Sequence, residues 1–205
     1  MKIKFTLLGT GSSMGVPRPD GNFGKCNPNN KKNYRTRCSA LIKSDKENIL
    51  IDTSPDLRSQ LLYNKISKID RVLFSHQHAD QTHGINDLRV FYLKNKKEIP
   101  IYADPVTTAY LKKTFNYCFK DYLTKHKSLY YPATLKINKL KKNHTFSNIK
   151  IESIPLNHGN IDSMSFIINQ KCAYASDAKL IYKKDINSFM NLKYLIIDCL
   201  RYDEH

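Results

Sequence analysis

This amino-acid sequence predicts an α/β sandwich folded as a single domain over residues 1–205. Apolar runs of strand length alternate with helical patterns along the whole chain, with no internal repeat and no low-complexity tract. Four predicted strands end on side chains that can bind a metal ion: Asp52, then His76, His78 and Asp80, then His158, then Asp177. The length of 205 residues is enough to bury one substantial core.

Lys2 to Leu8 alternates, with Ile3, Phe5 and Leu7 on one side, and reads as the opening strand. It runs into Gly9-Thr10-Gly11-Ser12-Ser13 and Gly15-Val16-Pro17, where the glycines permit close backbone approach. This loop has no Lys-Ser/Thr ending and no helical pattern after it, which argues against a P-loop or a dinucleotide fingerprint. Residues 18–37 are polar and turn-rich, a long surface loop. Strands follow at Cys38–Lys43 and Asn48–Asp52. Ser54 as N-cap and Pro55 in the first turn then open a helix with Leu57, Leu61 and Leu62 on its buried face.

Val72-Leu73-Phe74 is a short buried strand, and Ile85, Leu88, Phe91 and Tyr92 place a helix over Gly84–Asn95. Ile99–Ala103 is a strand. Asp104 caps a helix begun by Pro105, with Tyr110, Leu111 and Phe115 inward. The aromatic, basic stretch from Tyr117 to Tyr131 has no clear period and reads as packing rather than base stacking. Strands are predicted at Leu135–Leu140 and Phe146–Pro155, with a turn at Lys142-Asn143; the run Ile149–Leu156 leads to His158-Gly159. Phe166–Ile168 and Cys172–Ser176 are strands. Ile181, Tyr182, Ile186 and Phe189 suggest a helix, and Leu195-Ile196-Ile197 a last buried strand.

Five cysteines, odd in number and without a CxxC pair, read as free thiols in a reducing compartment. No apolar run approaches the roughly 20 residues that span a bilayer, and the N-terminus is too short in apolar residues for a signal peptide. The expected location is cytoplasmic, without a membrane partner. The net charge of +16 either draws phosphate-bearing partners, nucleic acid among them, or reflects a chain rich in Lys, Asn and Ile throughout. Its lysines lie in short clusters, such as Lys139 to Lys142, rather than in one basic run.

The stretch Val72 to Arg89 carries the chemistry. Alternate residues share a face on a strand, so His76 and His78 reach one point just past the strand end, with Asp80 two positions on. Imidazole and carboxylate suit zinc and similar first-row ions. His158, after a strand and before a glycine, reads as a further ligand.

Leu-Gly-Thr-Gly-Ser-Ser at the start, Asp52-Thr53-Ser54-Pro55, Ser75-His-Gln-His-Ala-Asp, Gly84-Ile-Asn-Asp-Leu-Arg89, Asn157-His158-Gly159 and Ser176-Asp177 occur in the order of the metallo-β-lactamase superfamily. The resemblance spans nearly the whole chain and is nearest to the PhnP-like phosphodiesterases, related to the tRNA 3′-processing endonucleases. It implies a four-layer αβ/βα sandwich with a metal centre at the edge of two facing sheets. It implies a first metal site of His76, His78 and His158 bridged by Asp177, and a second site using Asp80 and Asp177. It makes Asp80 and Asp177 the catalytic carboxylates and has Asp52 brace the site through hydrogen bonds to the ligands.

The sequence departs from the family at position 81, where Gln81 replaces a histidine and offers a poorer ligand for zinc. The resemblance also places a helix, a general-acid histidine and the last metal-binding histidine beyond His205, so the chain reads as C-terminally incomplete, with the last helix and strand region absent. Only Cys26 remains of the branch's cysteine-rich structural zinc site.

The expectation is one metal, Zn²⁺ or Mn²⁺, rather than two. The expected activity is attack of a metal-activated hydroxide on a small phosphodiester or nucleotide. Asp87 and Arg89 either support the site or form a structural ion pair. A degenerate homologue of little activity, a nuclease and a thioesterase are the alternatives, and a homodimer is among the expected states.

Overall fold

The parallel run of strands Asn48–Ile51, Arg71–Leu73 and Ile99–Ala103 organises the first half of the chain. A computed structural model describes residues 2–120, 122–123 and 130–200. The chain divides into two compact units, residues 1–139 and 140–205. In the first, six strands stand in the order β1-β2-β3-β4-β5-β8. These are β1 (Lys4–Gly9), β2 (Ser39–Lys43), β3 (Asn48–Ile51), β4 (Arg71–Leu73), β5 (Ile99–Ala103) and β8 (Leu135–Lys139). β1, β2 and β3 pair antiparallel, while β3 to β4, β4 to β5 and β5 to β8 are parallel.

Parallel neighbours need crossovers, and helices supply them. Helix α1 (Leu57–Tyr63) joins β3 to β4, and α2 (Ala79–Thr82) with α3 (Arg89–Asn95) joins β4 to β5. Helix α4 (Pro105–Thr114), followed by the short pair β6 (Tyr122–Leu123) and β7 (Tyr130–Tyr131), leads to β8. Register lines up Leu41, Leu50, Val72, Ile101 and Ile137 in one row across five strands. That row packs with Leu57, Leu61, Ile85, Leu88, Phe91 and Leu111 of the crossovers in a single core. Ile49, Leu50 and Ile51 are all fully buried, as expected of a strand covered on both faces.

The second unit is a five-stranded sheet ordered β13-β12-β11-β10-β9. Its centre is the hairpin of β10 (Ile149–His158) and β11 (Ile161–Ile168), paired from Ile151↔Ile168 to His158↔Ile161. Gly159 makes the reversal at φ 78°, where any side chain is strained. β9 (Asn143–Phe146) pairs antiparallel with β10, β12 (Cys172–Ala175) antiparallel with β11, and β13 (Tyr194–Ile197) parallel with β12. Ile154, Leu156, Ile167, Ala173 and Ala175 form its own core.

Several local expectations are corrected. Leu62 is 63% exposed rather than buried, because α1 begins only at Leu57 and its inward stripe is Leu57, Gln60 and Leu61. Ser54 lies two residues before the cap position, where its Oγ accepts from Asp56 N–H at 3.1 Å and turns the chain into α1. The Gly84–Asn95 helix starts as a 3-10 turn, Ile85–Leu88, before α3. The segment after β12 is a 3-10 helix, Lys183–Phe189, with no fully buried residue. The chain bends at Lys142 as expected, but Asn143 already opens β9, a further turn at 147–148 separates β9 from β10 within the predicted Phe146–Pro155 run, and β11 begins at Ile161 instead of Phe166. β13 forms, but Tyr194, Leu195 and Ile197 are exposed among the described residues. Much of the Tyr117–Tyr131 stretch, and His205, lie outside the described residues.

All five cysteines are free thiols. Burial pushes the Cys118 thiol up to about 11, so it stays protonated in the core. No described helix is long and apolar enough to cross a membrane.

One ion pair ties the long loop to α1. Arg37 donates from Nε and Nη2 to the two carboxylate oxygens of Asp56, at 2.9 and 2.8 Å, and its backbone N–H adds a third bond at 2.9 Å. The Arg37 side chain therefore holds the Asp56 carboxyl below its ordinary value. A depressed carboxyl stabilises the fold above its unfolded pKa, and that contribution disappears as pH falls through the folded value. Asp56→Asn is expected to cost about 0.5–1 kcal/mol near pH 6, since the pair is partly solvated. Urea unfolding should show the difference shrink steadily as pH falls below the ordinary aspartate range; a cost independent of pH in acid would contradict an ionic origin.

Candidate metal centre

β4 is three residues long, yet Val72 through His76 are all fully buried, so the strand carries its polar end inward. The next strand along, β3, ends at Ile51, and Asp52 follows in the left-handed region at φ 60°. Such a conformation costs an ordinary residue of order 1 kcal/mol and persists only where the surroundings over-determine it. They do so here. Asp52 N–H donates to Leu73 O at 2.9 Å, and Ser39 Oγ donates to Asp52 O at 3.0 Å. Asp52 Oδ1 accepts from Ser75 N–H at 2.7 Å and Oδ2 from Ser75 Oγ at 2.8 Å.

This arrangement decides which nitrogen of His76 carries the proton. Ser75 has one hydroxyl hydrogen, and the Asp52 carboxylate, an acceptor only, takes it. Ser75 Oγ lies 3.0 Å from His76 Nδ1 and is left to accept, which places the hydrogen on Nδ1. The lone pair of a neutral His76 then sits on Nε2, 2.9 Å from Nδ1 of His78. Two imidazole nitrogens brought this close to one another suit a shared cation, with a carboxylate relay behind the first ring.

His78 is exposed, takes extended backbone angles and starts α2. Asp80 and Gln81 fall in the first turn of that helix, with Asp80 half-buried and Gln81 completely buried. Gln81 Nε2 is 3.4 Å from Asp80 Oδ2. The backbone of this turn is laced to β3: Thr53 N–H donates to Gln81 O at 2.7 Å, and Gly84 N–H to Thr53 O at 2.8 Å. A Cβ at Gly84 would collide with the Ser54 carbonyl, so only glycine allows the approach. Asp87 accepts the backbone N–H of Arg58 at 3.1 Å, a bond that fastens α1.

In the second unit, His158 is the last residue of β10 and Asp177 follows β12 by two positions. Both are half-buried. Asn157 bridges Leu180, exchanging Asn157 N–H to Leu180 O at 3.0 Å and Lys179 N–H to Asn157 O at 2.8 Å, so the chain past Asp177 runs beside the end of β10. Asp198 Oδ1 accepts from Ala178 N–H at 2.9 Å and steadies the same turn. In the first unit His76 and His78 offer two imidazole nitrogens to one point, and in the second His158 offers a third imidazole at the end of β10. Ser75 is the residue that sequence reasoning passed over, although it stands directly before His76.

A mixed α/β protein with two main sheets, whose strand ends present imidazoles and carboxylates, is of the metallo-β-lactamase-fold class. The chain belongs to the β-lactamase superfamily, matching the Beta-lactamase superfamily domain over residues 47–205. It is 32% identical over 205 residues to an octanoyltransferase of Porphyromonas gingivalis (strain ATCC BAA-308 / W83), covering 98% of this chain and 40% of that protein. The chain thus spans less than half the length of that relative. Among solved structures it is similar to a diphosphatase of the PhnP family, with a TM-score of 0.87 and 28% identity, over 100% of this chain and 76% of the other. Human tRNase Z, short form, shares the fold at a TM-score of 0.62 and 16% identity, over 95% of this chain and 76% of its own.

Proposed function

We propose that this chain is a metal-dependent hydrolase of phosphodiesters, with a small nucleotide as the substrate class. The observation that carries the proposal is the meeting of His76 Nε2 and His78 Nδ1 with the tautomer of His76 set by Ser75 and Asp52. The likeness of the whole chain to a PhnP-family diphosphatase supports the phosphoryl substrate over others. His76, His78, His158 and Asp177 would hold one Zn²⁺ or Mn²⁺, which supplies a Lewis acid for the phosphoryl oxygen and lowers the pKa of water. Asp80 accepts a proton from the attacking water at its carboxylate. Gln81 presents a buried amide where the family resemblance has an imidazole, which favours one ion over two.

A second reading is favoured by the relative named octanoyltransferase: hydrolysis or transfer of an acyl thioester, with this chain as one part of a longer protein. The two differ in their electrophile. The chain loaded with Zn²⁺ or Mn²⁺ should turn over bis(p-nitrophenyl) phosphate, leave an octanoyl thioester intact and contain one ion per chain by elemental analysis. Thioester turnover without diester turnover would replace the first reading with the second. Turnover of neither substrate with either metal would leave a metal-binding homologue without hydrolytic activity.

A further inference from the structure

We propose that Arg37 binds the phosphoryl oxygens of the substrate, as a guanidinium fork that Asp56 holds beside the metal-binding loop; this rests on the phosphodiester reading above. Three backbone segments place it there. Ser39, two residues on, donates to the Ile51 and Asp52 carbonyls at 3.1 and 3.0 Å. Residues 53 and 84 are joined by backbone hydrogen bonds, as are 53 and 81. Arg37 therefore lies on the segment next to Asp52, which is itself next to the turn bearing Asp80 and Gln81.

The chemistry of the fork suits the role. Asp56 occupies only the Nε–Nη2 edge of the guanidinium. Among the described residues no hydrogen bond is made by Nη1, so one of its hydrogens and the second hydrogen of Nη2 form a planar pair. That pair matches two oxygens of a phosphate. The side chain is 29% exposed, open enough for a ligand and too constrained to wave freely. Anchoring at two points, plus Arg37 O accepting from Gln60 Nε2 at 2.8 Å, orders the fork before any ligand arrives and lowers the entropic cost of binding. Asp56 first, and Asp80 at longer range, hold the guanidinium above its ordinary pKa, so it is cationic at every working pH. Asp56 is a positioning residue in this scheme.

The test uses the metal-loaded chain and inorganic phosphate as the probe, with affinity measured by titration calorimetry and bis(p-nitrophenyl) phosphate hydrolysis split into kcat and KM. Arg37→Gln should weaken phosphate and raise KM by about 10- to 100-fold, the loss expected for a charge-assisted pair, with metal content unchanged. Arg37→Lys should recover part of the affinity by keeping the charge without the fork. Asp56→Asn, which frees the fork but keeps it, should lose less than Arg37→Gln. Phosphate affinity unchanged in Arg37→Gln overturns the proposal, as does a loss in Asp56→Asn equal to that in Arg37→Gln, which would mark the pair as structural. Should Arg37→Gln fail to fold, unchanged affinity in Arg37→Lys overturns it instead. If the wild-type chain cleaves no diester yet Arg37→Gln still loses phosphate, the hydrolase reading fails and the anion site stands.

Discussion

Changing His76 to alanine is expected to strip the metal from this chain. His76 is completely buried, and its Nε2 is the lone pair that the Asp52–Ser75 relay prepares. A ligand that binds only the folded state stabilises it, by about 2.7 kcal/mol when present at one hundred times its Kd. The wild-type unfolding midpoint should therefore rise with added Zn²⁺ or Mn²⁺, and the His76→Ala midpoint should not move. On the phosphodiester reading proposed above, hydrolysis should fall by about 10³-fold, since metal Lewis acidity contributes several kcal/mol to such transition states. His78→Ala should lose metal in the same way with less damage to folding, because His78 is exposed. A His76→Ala chain that binds zinc as tightly as wild type would remove the basis for this centre.

The parts legible in the sequence share a cause. Leu50, Val72 and Ile101 lie in strands so apolar that burial leaves no alternative, and the crossover pattern between them dictates a parallel sheet. His76, His78 and Asp80 are rare residue types at strand-end spacing, which made them visible. What stayed hidden is polar and buried. β11 begins at Ile161, but Ser163 and Ser165 point into the core, and Ser165 Oγ is satisfied by Ile154 O at 2.9 Å; a strand that buries serines has no apolar alternation to read. Leu62 failed in the opposite sense: helical spacing cannot say where a helix starts, and a start two residues later than Pro55 leaves Leu62 outside the stripe. The role of Ser75 is not legible in the sequence because it appears only when two strands adjacent in space, not in sequence, bring Asp52 against it.

That relay makes Asp52→Asn the most informative conservative change. The amide keeps the volume of the carboxyl but has one oxygen in place of two acceptors. Ser75 N–H, which cannot rotate away, retains that oxygen, and the amide NH₂ then faces Ser75 Oγ. The hydroxyl must accept from it and turn its own hydrogen toward His76 Nδ1. His76 responds by moving its proton to Nε2, the nitrogen 2.9 Å from His78 Nδ1, where it blocks metal coordination. Metal affinity should fall by about 10- to 100-fold, the usual cost of losing an outer hydrogen-bonding partner of a ligating histidine. Long-range ¹H–¹⁵N spectra of the metal-free chains read the tautomer directly: Nδ1–H for His76 in wild type, Nε2–H in Asp52→Asn. Ser75→Ala separates orientation from tautomer choice. It removes the acceptor for Nδ1–H without offering a donor, so affinity should fall while the Nε2–H form does not take over. If Asp52→Asn kept both the wild-type tautomer and the wild-type affinity, the buried, left-handed Asp52 would serve the turn after β3 and not the metal.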